Sequence, residues 1–595
     1  MAYRSGKWLA ALLLAVGCSS PAGTGTPGAG GGAGSSPVGG RGGAAGAAGV
    51  GGASGDAGAG GGGSVGGAGS GVGGSGGSGG TGDAGGATGG SIAGASGGAG
   101  TGGGGGSGGA AGAGGRGGAA AGNGGASGAS GTGGAGGRGG ASGTGGASGT
   151  GGGAAGTGGG AGTGGGAATA PIVLSEDGGW CWFESPRVLF QGTRLIIGSV
   201  ASGWNNAARK GDIETIVHDL ATGTNTAFEL HNQLELDDHD SPAFLIRPDG
   251  RFVTMYAKHG TENHFYYRLS SANNPTTWAA EQTFTPTTAT QLTYSNLFLL
   301  TAENNRVYDF YRGLDASYKP SYAYSDDLGQ TWRSGNIVIN VPSTGTLQRP
   351  YARYVSNGTD TVHITYTEAH PRDFDNSIYH VYYKGGTLYR SDGTAIHPLT
   401  QGLTTPDEGT RIFRGDANNV AWTVDVVLDP ATARPHVVYS VQVGSAGLPT
   451  GQGGDDMRYR YARWDGTAWR DSALAYAGTR LYSGEDDYTG LAAIDPTDPS
   501  IIYISTNANP TTGAALMSAG DGRRHWEIFR GNMTNAGDSW QWTPVTMNST
   551  LDNLRPIVVS DGGSRKVLLW LRGTYRAYTD YQQQVLMQIL AGGGS

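Results

Sequence analysis

The chain has 595 residues, of which 120 are glycine, and its formal net charge is −8 at neutral pH. This charge is modest and no run of Lys or Arg occurs, so the sequence lacks the basic surface expected of a protein that binds nucleic acid. Only two cysteines are present, which excludes a disulfide-stapled fold and a cysteine-based zinc site.

Residues 1–18 have the pattern of a secretory signal. Two basic residues near the N-terminus precede an apolar run over residues 8–16, and a glycine stands directly before Cys18. This end resembles the lipobox of bacterial lipoproteins, which implies export across the inner membrane and lipidation of Cys18 at the cell envelope or cell surface. Cleavage at a plain signal-peptidase site is the alternative. The run is too short to span a membrane, so membrane contact is expected only through the lipid anchor.

Residues 19–168 form a linker of Gly, Ala, Ser and Thr with almost no charged or aromatic residues. Such a composition cannot bury a core, so the segment is predicted to be disordered. Collagen is excluded because proline is scarce and no triplet repeat holds. A flexible chain of this length has a root-mean-square span on the order of 70 Å. We therefore interpret it as a tether for a C-terminal domain.

The composition changes at about residue 169, and residues 169–595 form one predicted domain. Short runs rich in β-branched and aromatic residues recur to the end of the chain, for example at residues 194–200, 361–367 and 566–571. Gly, Asp and Asn separate them, and no helical period persists over twelve residues. The domain is predicted to be all-β.

A hairpin repeat sharpens this prediction. Residues 325–332 read Ser-Asp-Asp-Leu-Gly-Gln-Thr-Trp and match the Asp-box pattern Ser-x-Asp-x-Gly-x-Thr-Trp at each specified position. Weaker copies occur at residues 271–278 and 533–540. A repeat of about 50 residues with short strands indicates a β-propeller. The length of the domain allows seven or eight blades, and we predict seven.

One further hairpin carries a histidine at each outer end. Apolar runs at residues 243–246 and 252–257 flank Arg-Pro-Asp-Gly, a strong turn signal. Because an antiparallel pair brings its open ends side by side, His239 and His259 are expected on one rim. Imidazole titrates in the range useful for proton transfer. The alternative is that both are hydrogen-bonded structural residues.

Several segments resemble the bacterial neuraminidase repeat (BNR) propeller family, which includes ulvan lyases. Among them are Asp-His-Asp-Ser-Pro at 238–242 and Lys-His-Gly at 258–260. The others are residues 180–187, 293–296, 308–313, 349–351, 370–371, 377–380 and 459–466. The resemblance implies a seven-bladed propeller with a substrate groove on one face. It also implies β-elimination on an acidic polysaccharide, with two His, a Tyr and an Arg in the site.

The chemistry of β-elimination explains why His, Tyr and Arg are expected in the site. Removal of the C5 proton of a uronic acid requires that the neighbouring carboxylate be neutralised, and a guanidinium suits that task. By resemblance, Arg312 is assigned to the carboxylate with help from His259, and Tyr294 with His239 to proton transfer. Which of the last two is base and which is acid stays open. Alternatively, Tyr294 packs a blade and Arg312 pairs with a neighbouring Asp.

Other residues are weaker candidates. Arg349, Tyr351, His370 and His380 are predicted to line the groove and bind substrate. Trp180 and Trp182 could stack on sugar rings or fill the core of the first blade, and His264 is interpreted as strand packing. No cofactor is assigned with certainty and no metal site is predicted, but a structural calcium ion is left open. Carboxylates considered for it are Asp425, Asp455, Asp456, Asp486 and Asp487.

Three functions follow as hypotheses. The first is a lyase that cleaves a uronate-containing, ulvan-like polysaccharide. The second is a sialidase-like glycoside hydrolase, suggested by the Asp boxes, although residues 185–187 replace the Phe-Arg-Ile-Pro element expected near the start of such a domain. The third is a non-catalytic propeller that binds glycans or mediates adhesion. In each case the partner is a polysaccharide and the protein is expected to be a monomer.

Overall fold

The structure is a computed structural model, and it describes residues 170–314, 318–341, 349–537 and 539–590. The signal at residues 1–18, the lipidated Cys18 and the linker at residues 19–168 lie outside the described residues. These three assignments stay predictions.

The described chain folds into seven antiparallel sheets arranged as the blades of a propeller, which confirms the all-β prediction and the blade number. The first blade contains β2 (Val188–Gln191), β3 (Arg194–Val200), β4 (Ile213–Asp219) and β5 (Thr224–His231). The second blade contains β6 (Ala243–Ile246), β7 (Phe252–Tyr256), β8 (Phe265–Ser271), β9 (Asn274–Trp278) and β10 (Gln282–Phe284). The third blade contains β11 (Leu297–Leu300), β12 (Arg306–Gly313), β13 (Lys319–Ser325) and β14 (Arg333–Ile337).

The fourth blade contains β15 (Ala352–Ser356), β16 (Thr361–Tyr366), β17 (Ile378–Lys384), β18 (Thr387–Tyr389), β19 (Ala395–Pro398) and β20 (Thr410–Phe413). The fifth blade contains β21 (Asn419–Leu428), β22 (Pro435–Val443), β23 (Met457–Trp464) and β24 (Trp469–Gly478). The sixth blade contains β25 (Ala492–Ile494), β26 (Ile501–Thr506), β27 (Glu527–Thr534) and β28 (Ser539–Pro544). The seventh blade contains β29 (Asp552–Ser560), β30 (Lys566–Ala577), β31 (Asp580–Leu590) and β1 (Ile172–Ser175).

Helical structure is limited to five single turns of 3-10 helix among the described residues. They are Ala207–Arg209, Asp238–Asp240, Thr301–Glu303, Pro406–Glu408 and Asn535–Gly537. Within the described ranges, no helix has both the length and the apolar character needed to cross a membrane.

The first strand of the domain closes the ring. β1 pairs with β31, with Ile172 opposite Met587 and Val173 opposite Leu586, so the outermost strand of the last blade comes from the start of the domain. Sequence analysis did not predict this closure. It ties the two ends of the domain together and covers an edge that would otherwise be left unpaired.

The segment between β1 and β2 crosses the central channel. Trp180 and Trp182 are buried, and the Trp182 ring packs against Phe183 at 4.6 Å, Tyr488 at 5.0 Å and Trp422 at 5.3 Å. Both tryptophans are thus buried in the core, but only Trp180 packs against the first blade, whereas Trp182 packs against side chains of the fifth and sixth blades. On one side of this plug the innermost strands enclose a channel of about 490 Å³.

The Asp box at residues 325–332 folds as expected. The Ser325 hydroxyl accepts a hydrogen bond from the Gly329 amide at 2.7 Å, and the Asp327 carboxylate accepts from the Thr331 amide at 2.8 Å and hydroxyl at 2.6 Å. Trp332 is buried beneath the turn and lies edge-on to Tyr267. The side chains of the motif therefore satisfy the backbone of their own loop.

Asp327→Ala is expected to lower the free energy of unfolding by about 1–2 kcal/mol, because it leaves several loop donors without their acceptor. The neighbouring Asp326 makes exposed ion pairs with Arg306 and Arg333, so Asp326→Ala should cost less than about 1 kcal/mol. Urea unfolding of both variants measures the difference. Equal losses in the two variants would contradict a structural role of the motif.

Candidate active site

The site lies on the face where the innermost strand of each blade begins and its second strand ends. β6 pairs with β7, with Ala243 opposite Met255, through a turn closed by the Gly250 amide and the Arg247 carbonyl. Gly250 has a φ of +77° in this turn, which glycine adopts at no steric cost. The turn thus brings His239 and His259 together, and their rings stack at 4.0 Å with an interplanar angle of 13°.

A single carboxylate holds both imidazoles. Asp237 Oδ1 lies 2.6 Å from His239 Nδ1, and Asp237 Oδ2 lies 2.9 Å from His259 Nδ1. Because an ionised carboxylate only accepts hydrogen bonds, each Nδ1 must carry a proton. The remaining ring nitrogen, Nε2, is therefore the reactive atom of each histidine.

The two histidines differ in protonation. Burial by itself would lower the pKa of His239, but Cys181, Asp237 and Asp238 outweigh it and hold the pKa well above its ordinary value. Burial lowers the pKa of His259, and the positive charge on His239 lowers it further. The pair therefore carries one positive charge near neutral pH, and that charge sits on His239 while His259 is neutral.

The two histidines also differ in exposure to solvent, and the neutral His259 is the more exposed one. The side chain of His239 is 2% exposed and that of His259 is 25% exposed. The Tyr488 hydroxyl covers His239 Nε2 at 3.4 Å, and Tyr578 lies edge-on to both imidazoles at 5.2 and 5.5 Å. A molecule that approaches from solvent would reach His259 first.

Tyr294 and Arg312 come from the next blade. Tyr294 precedes β11, Arg312 lies near the end of β12, and the backbones of Thr293 and Arg312 pair through hydrogen bonds of 2.8 and 2.9 Å. The ring of Tyr294 lies 5.5 Å from that of His239 and 6.0 Å from that of His259. Tyr294 has a φ of +63°, a strained conformation that concentrates at functional sites.

Arg312 is a buried cation without a carboxylate partner among the described residues. Its guanidinium lies 3.8 Å from the ring centre of Tyr351 and 5.7 Å from that of Tyr294, and its Nε donates to the Tyr318 carbonyl at 3.0 Å. Nη2 is buried and has no hydrogen-bond partner in the described chain. The alternative that Arg312 pairs with an Asp therefore finds no support there, and the free Nη2 suits an anionic ligand.

Two tyrosines flank this guanidinium, and their pKa values are shifted in opposite directions. Burial raises the pKa of Tyr294 well above its ordinary value, so Tyr294 is a neutral phenol. Burial also acts on Tyr351, but Arg312 and Arg349 outweigh it and lower the pKa of that phenol. The space between these side chains is only about 10 Å³, so a ligand must lie over them rather than among them.

Comparison with known proteins assigns part of the chain to a family. The family model described as "BNR repeat-containing family member" matches residues 205–477. Residues 205–477 belong to this BNR repeat-containing family. The match includes both histidines, Tyr294, Arg312 and Tyr351. No curated protein matches the sequence.

The seven-bladed propeller of the described residues between 170 and 590, which contains this match, is called the BNR repeat domain below. Solved structures resemble its fold. One is an ulvan lyase of polysaccharide lyase family PL25 bound to -[GlcA(1-4)Rha3S]-, with 14% identity, a TM-score of 0.52, and coverage of 71% of this chain and 96% of that one. Another is the polysaccharide lyase Uly1, with 13% identity, a TM-score of 0.45, and coverage of 71% and 99%. At 14% identity, the likeness to the first of these structures shows the propeller fold.

Further positive charge lies beside Arg312 in the BNR repeat domain. Arg349 contacts Asp373 at 3.4 Å, and Arg372 forms an ion pair with Glu485. His370 is buried, and its ring packs against Tyr351 at 5.3 Å. Burial lowers the pKa of His370 well below its ordinary value, and the nearby Arg372, Arg349 and Arg312 lower it further. Arg349, Tyr351 and His370 are thus brought to the site, as their predicted role requires.

His380 lies elsewhere. It is inside β17, where its Nε2 is 3.0 Å from His363 Nδ1 and its Nδ1 is 2.8 Å from the Ser391 hydroxyl. The structure therefore does not bring this predicted substrate contact to the other candidates. His264 stands just before β8 with its ring edge-on to Tyr266 at 4.8 Å, which fits its interpretation as packing.

Two overlapping groups of side chains in the described chain could hold a metal ion: Asp237, His239 and His259, and Cys181, Asp238 and His239. Asp237 is already engaged by two imidazoles, and Asp238 accepts from Tyr575 and Arg555. The five carboxylates considered for calcium do not form such a group. Four of them pair with arginines instead: Asp425 with Arg353, Asp456 with Arg458, and Asp455 and Asp486 with Arg480.

Sequence reasoning missed the roles of Asp237, Tyr488 and Tyr578. Asp237 lies two residues before His239, where a carboxylate can reach the imidazole of the same turn. Tyr488 and Tyr578 come from the sixth and seventh blades, and no local motif marks them. Their one signal is position, since Tyr488 precedes an innermost strand and Tyr578 follows a second strand.

Glu184 lies buried beneath the site and gives a pH-dependent contribution to stability. Burial raises the pKa of this carboxyl to about 8, so at neutral pH the folded protein keeps a proton that the unfolded chain releases. The free energy of unfolding should therefore fall as pH rises from about 4.5 to 8, by on the order of 3 kcal/mol at pH 7.

Glu184→Gln should flatten this dependence and should not destabilise the protein at pH 7, because the amide replaces a neutral carboxyl. Urea unfolding at pH 5, 7 and 8 measures the effect. The exposed Glu229 of β5 supplies the control variant Glu229→Gln, which should keep the wild-type slope. A Glu184→Gln protein with the wild-type slope would contradict the assignment.

Proposed function

We propose that the BNR repeat domain is a lyase that cleaves a uronate-containing polysaccharide by β-elimination. The observation that carries the proposal is the buried guanidinium of Arg312 beside Tyr294 and the neutral, partly exposed His259. Elimination needs a fixed cation, a base and an acid on one face of a sugar. These three groups supply them.

Arg312 would bind the uronate carboxylate. In elimination, the proton on C5 becomes acidic only when the charge that develops on the adjacent carboxylate is stabilised. Arg312 is permanently charged, is desolvated and has a free Nη2, so it can offer paired donors to two carboxylate oxygens. Its cost of reorganisation is small because Tyr351 and the Tyr318 carbonyl already hold it in place.

His259 would act as the base. Its Nδ1 proton is fixed on Asp237, so the lone pair of Nε2 is available to take the C5 proton. Resemblance alone assigned His259 to the carboxylate and left His239 as a candidate for proton transfer. Burial of His239 and the charge it carries favour the reverse, with His239 as a fixed positive charge behind His259.

Tyr294 would act as the acid. Its raised pKa keeps the phenol protonated, and its ring lies between those of the two histidines and the guanidinium of Arg312. In the proposed step the C5 proton passes to His259 Nε2, a double bond forms between C4 and C5, and the bond from C4 to the glycosidic oxygen breaks. The phenolic proton of Tyr294 passes to that leaving oxygen.

The substrate class follows from the charges around the site. Arg312 has no carboxylate partner in the described chain, and the guanidiniums of Arg349 and Arg372, each paired with one carboxylate, lie beside it, so the site offers several donors to a polymer with anionic groups. The PL25 lyase of similar fold binds a repeat of glucuronate and sulfated rhamnose, and we propose that this domain acts on the same class of acidic polysaccharide. The signal and tether predicted for residues 1–168 would hold it at the cell envelope.

Hydrolysis is less favoured because a hydrolase needs two opposed carboxylates or an equivalent couple. The carboxylates that reach the imidazoles are Asp237 and Asp238. The first is held by His239 and His259, and the second by Arg555 and Tyr575.

Incubation of the full chain with ulvan tests the proposal. A lyase releases unsaturated uronate that absorbs in the near ultraviolet, a hydrolase releases reducing ends without that absorbance, and a glycan-binding propeller is retained on the polymer without cleavage. His259→Ala controls for a contaminating lyase. Reducing ends without the chromophore, or binding without cleavage, would overturn the proposal in favour of the respective alternative.

The pH dependence of kcat/KM should show the state of His259. A base must be unprotonated, and because the pKa of His259 is lowered, the acid limb of the profile should lie below about pH 6.5, the ordinary value for histidine. Initial rates on ulvan between pH 4 and 9 measure it. An acid limb above pH 7 would point to a different base.

A further inference from the structure

A groove of about 560 Å³ runs along β24 on the outer part of the propeller. Residues of the fifth and sixth blades line it, among them Trp540 and Trp542 of β28 and Arg458 and Arg460 of β23. In the described chain, none of these four side chains contacts His239, His259 or Arg312. The groove is therefore separate from the proposed reaction centre.

Two tryptophans form one wall. Trp540 and Trp542 alternate with the exposed Gln541 along β28, so their rings lie on the same face of the strand, nearly parallel at 25° with centroids 6.2 Å apart. Trp542 lies flat on Gly531, where an added Cβ would stand 2.7 Å from the ring. Both indoles remain partly exposed although they are held rigidly, which lowers the entropy cost of binding.

The other side of the edge strand β24 supplies polar donors whose charge is balanced. Arg458 and Arg460 alternate with Tyr459 and Tyr461 and so project from the face of β23 that looks away from the tryptophans. Arg458 lies 3.6 Å from the ring centre of Tyr476 and donates to Asp456 at 2.7 Å, and Arg460 forms an ion pair with Asp471 at 2.5 Å. Two guanidiniums and two carboxylates leave the groove close to neutral. Recognition there would rest on ring faces and hydrogen bonds rather than on net charge.

We infer that this groove is a second binding surface for the polysaccharide, which holds the less charged sugars of the chain against Trp540 and Trp542. Broad aromatic faces pack against the C–H faces of sugar rings, and the guanidiniums on the far side of β24 can donate to hydroxyl groups of a polymer that crosses this edge strand. The inference rests on the proposed function. It adds a means of retaining a long polymer between cleavage events.

The upper end of the groove reaches the face that carries the site. Tyr476 lies two residues before the end of β24, and the connection that follows leads to Tyr488, whose hydroxyl is 3.4 Å from His239. A polymer that follows the groove would thus arrive at the proposed reaction centre. Short substrates would not span both places.

The test compares polymer affinity with turnover of short substrates. Affinity electrophoresis of the full chain in gels containing ulvan, in a His259→Ala background that prevents cleavage, should show that Trp542→Ala weakens retention at least about fivefold. This effect should persist at high salt, because charge does not dominate the groove. Gln541→Ala, which faces away from the groove, should leave retention unchanged.

A second variant guards against loss of folding. Ala473 is exposed and lines the groove, so Ala473→Glu obstructs it and adds negative charge without removing a packed ring. With histidines intact, both variants should keep the wild-type rate on ulvan tetrasaccharides. Folded variants that bind polymer like the wild type would overturn the inference even if cleavage occurs. Retention that depends on Trp542 without any cleavage would support the groove and refute the lyase.

Discussion

Arg312→Ala is expected to lower kcat/KM on ulvan by about a thousandfold or more, because it removes the single cation that can neutralise the uronate carboxylate in the transition state. Arg312→Lys should restore only a small part of this loss, since an ammonium cannot offer two coplanar donors to a carboxylate. Initial rates of chromophore release measure both variants.

Arg349 provides the matched control. It lies at the same margin but contacts Asp373 and is partly exposed, so Arg349→Ala should mainly raise KM, and by about tenfold at most. If Arg312→Ala instead changed KM alone and left kcat intact, Arg312 would bind substrate without stabilising the transition state, and the proposed chemistry would be wrong.

Asp237→Asn is expected to lower kcat by about two to three orders of magnitude although it removes no group that touches substrate. An amide can donate a hydrogen bond as well as accept one, so the asparagine would no longer force both Nδ1 atoms to carry protons. His259 could then present a protonated Nε2 to the sugar, which cannot act as a base. Loss of an orienting carboxylate has effects of this size in other histidine-based sites.

Asp240 makes a stringent control for Asp237. It belongs to the same 3-10 turn and is equally buried, but burial and the nearby Asp237 raise its pKa well above the ordinary value. The carboxyl of Asp240 therefore keeps its proton to a higher pH than an ordinary carboxyl, and neither of its oxygens has a hydrogen-bond partner in the described chain. For both reasons, Asp240→Asn should change kcat by less than about threefold. A pattern in which Asp240→Asn is inactive and Asp237→Asn is active would contradict the account of how the imidazoles are held.

The parts of the structure that the sequence predicted well depend on local signals. The Asp box and the hairpin between His239 and His259 each lie within about 20 residues, and turn residues alone determine their geometry. Tyr488 contacts His239 across 249 positions, and the pairing of β1 with β31 joins opposite ends of the domain. Such contacts depend on how the ring closes, which no local pattern records.

For two histidines, the residue type alone did not predict which one lies at the site. His370 and His380 looked equivalent in sequence, but His370 follows the second strand of its blade on the face of the site, whereas His380 lies inside the third strand. The tryptophans at 180 and 182 were ambiguous for a similar reason. Aromatic side chains suit both a sugar-binding surface and a core, and only the path of the chain across the channel decides between them.

The most direct test of the account is the stoichiometry of cleavage. The full chain is incubated with ulvan, and new reducing ends are counted against unsaturated uronate in the same samples. Elimination at a uronate held by Arg312 predicts one unsaturated residue for each new reducing end, and Arg312→Ala should abolish both signals. Reducing ends that accumulate without unsaturated uronate, or cleavage that survives Arg312→Ala at the wild-type rate, would contradict it.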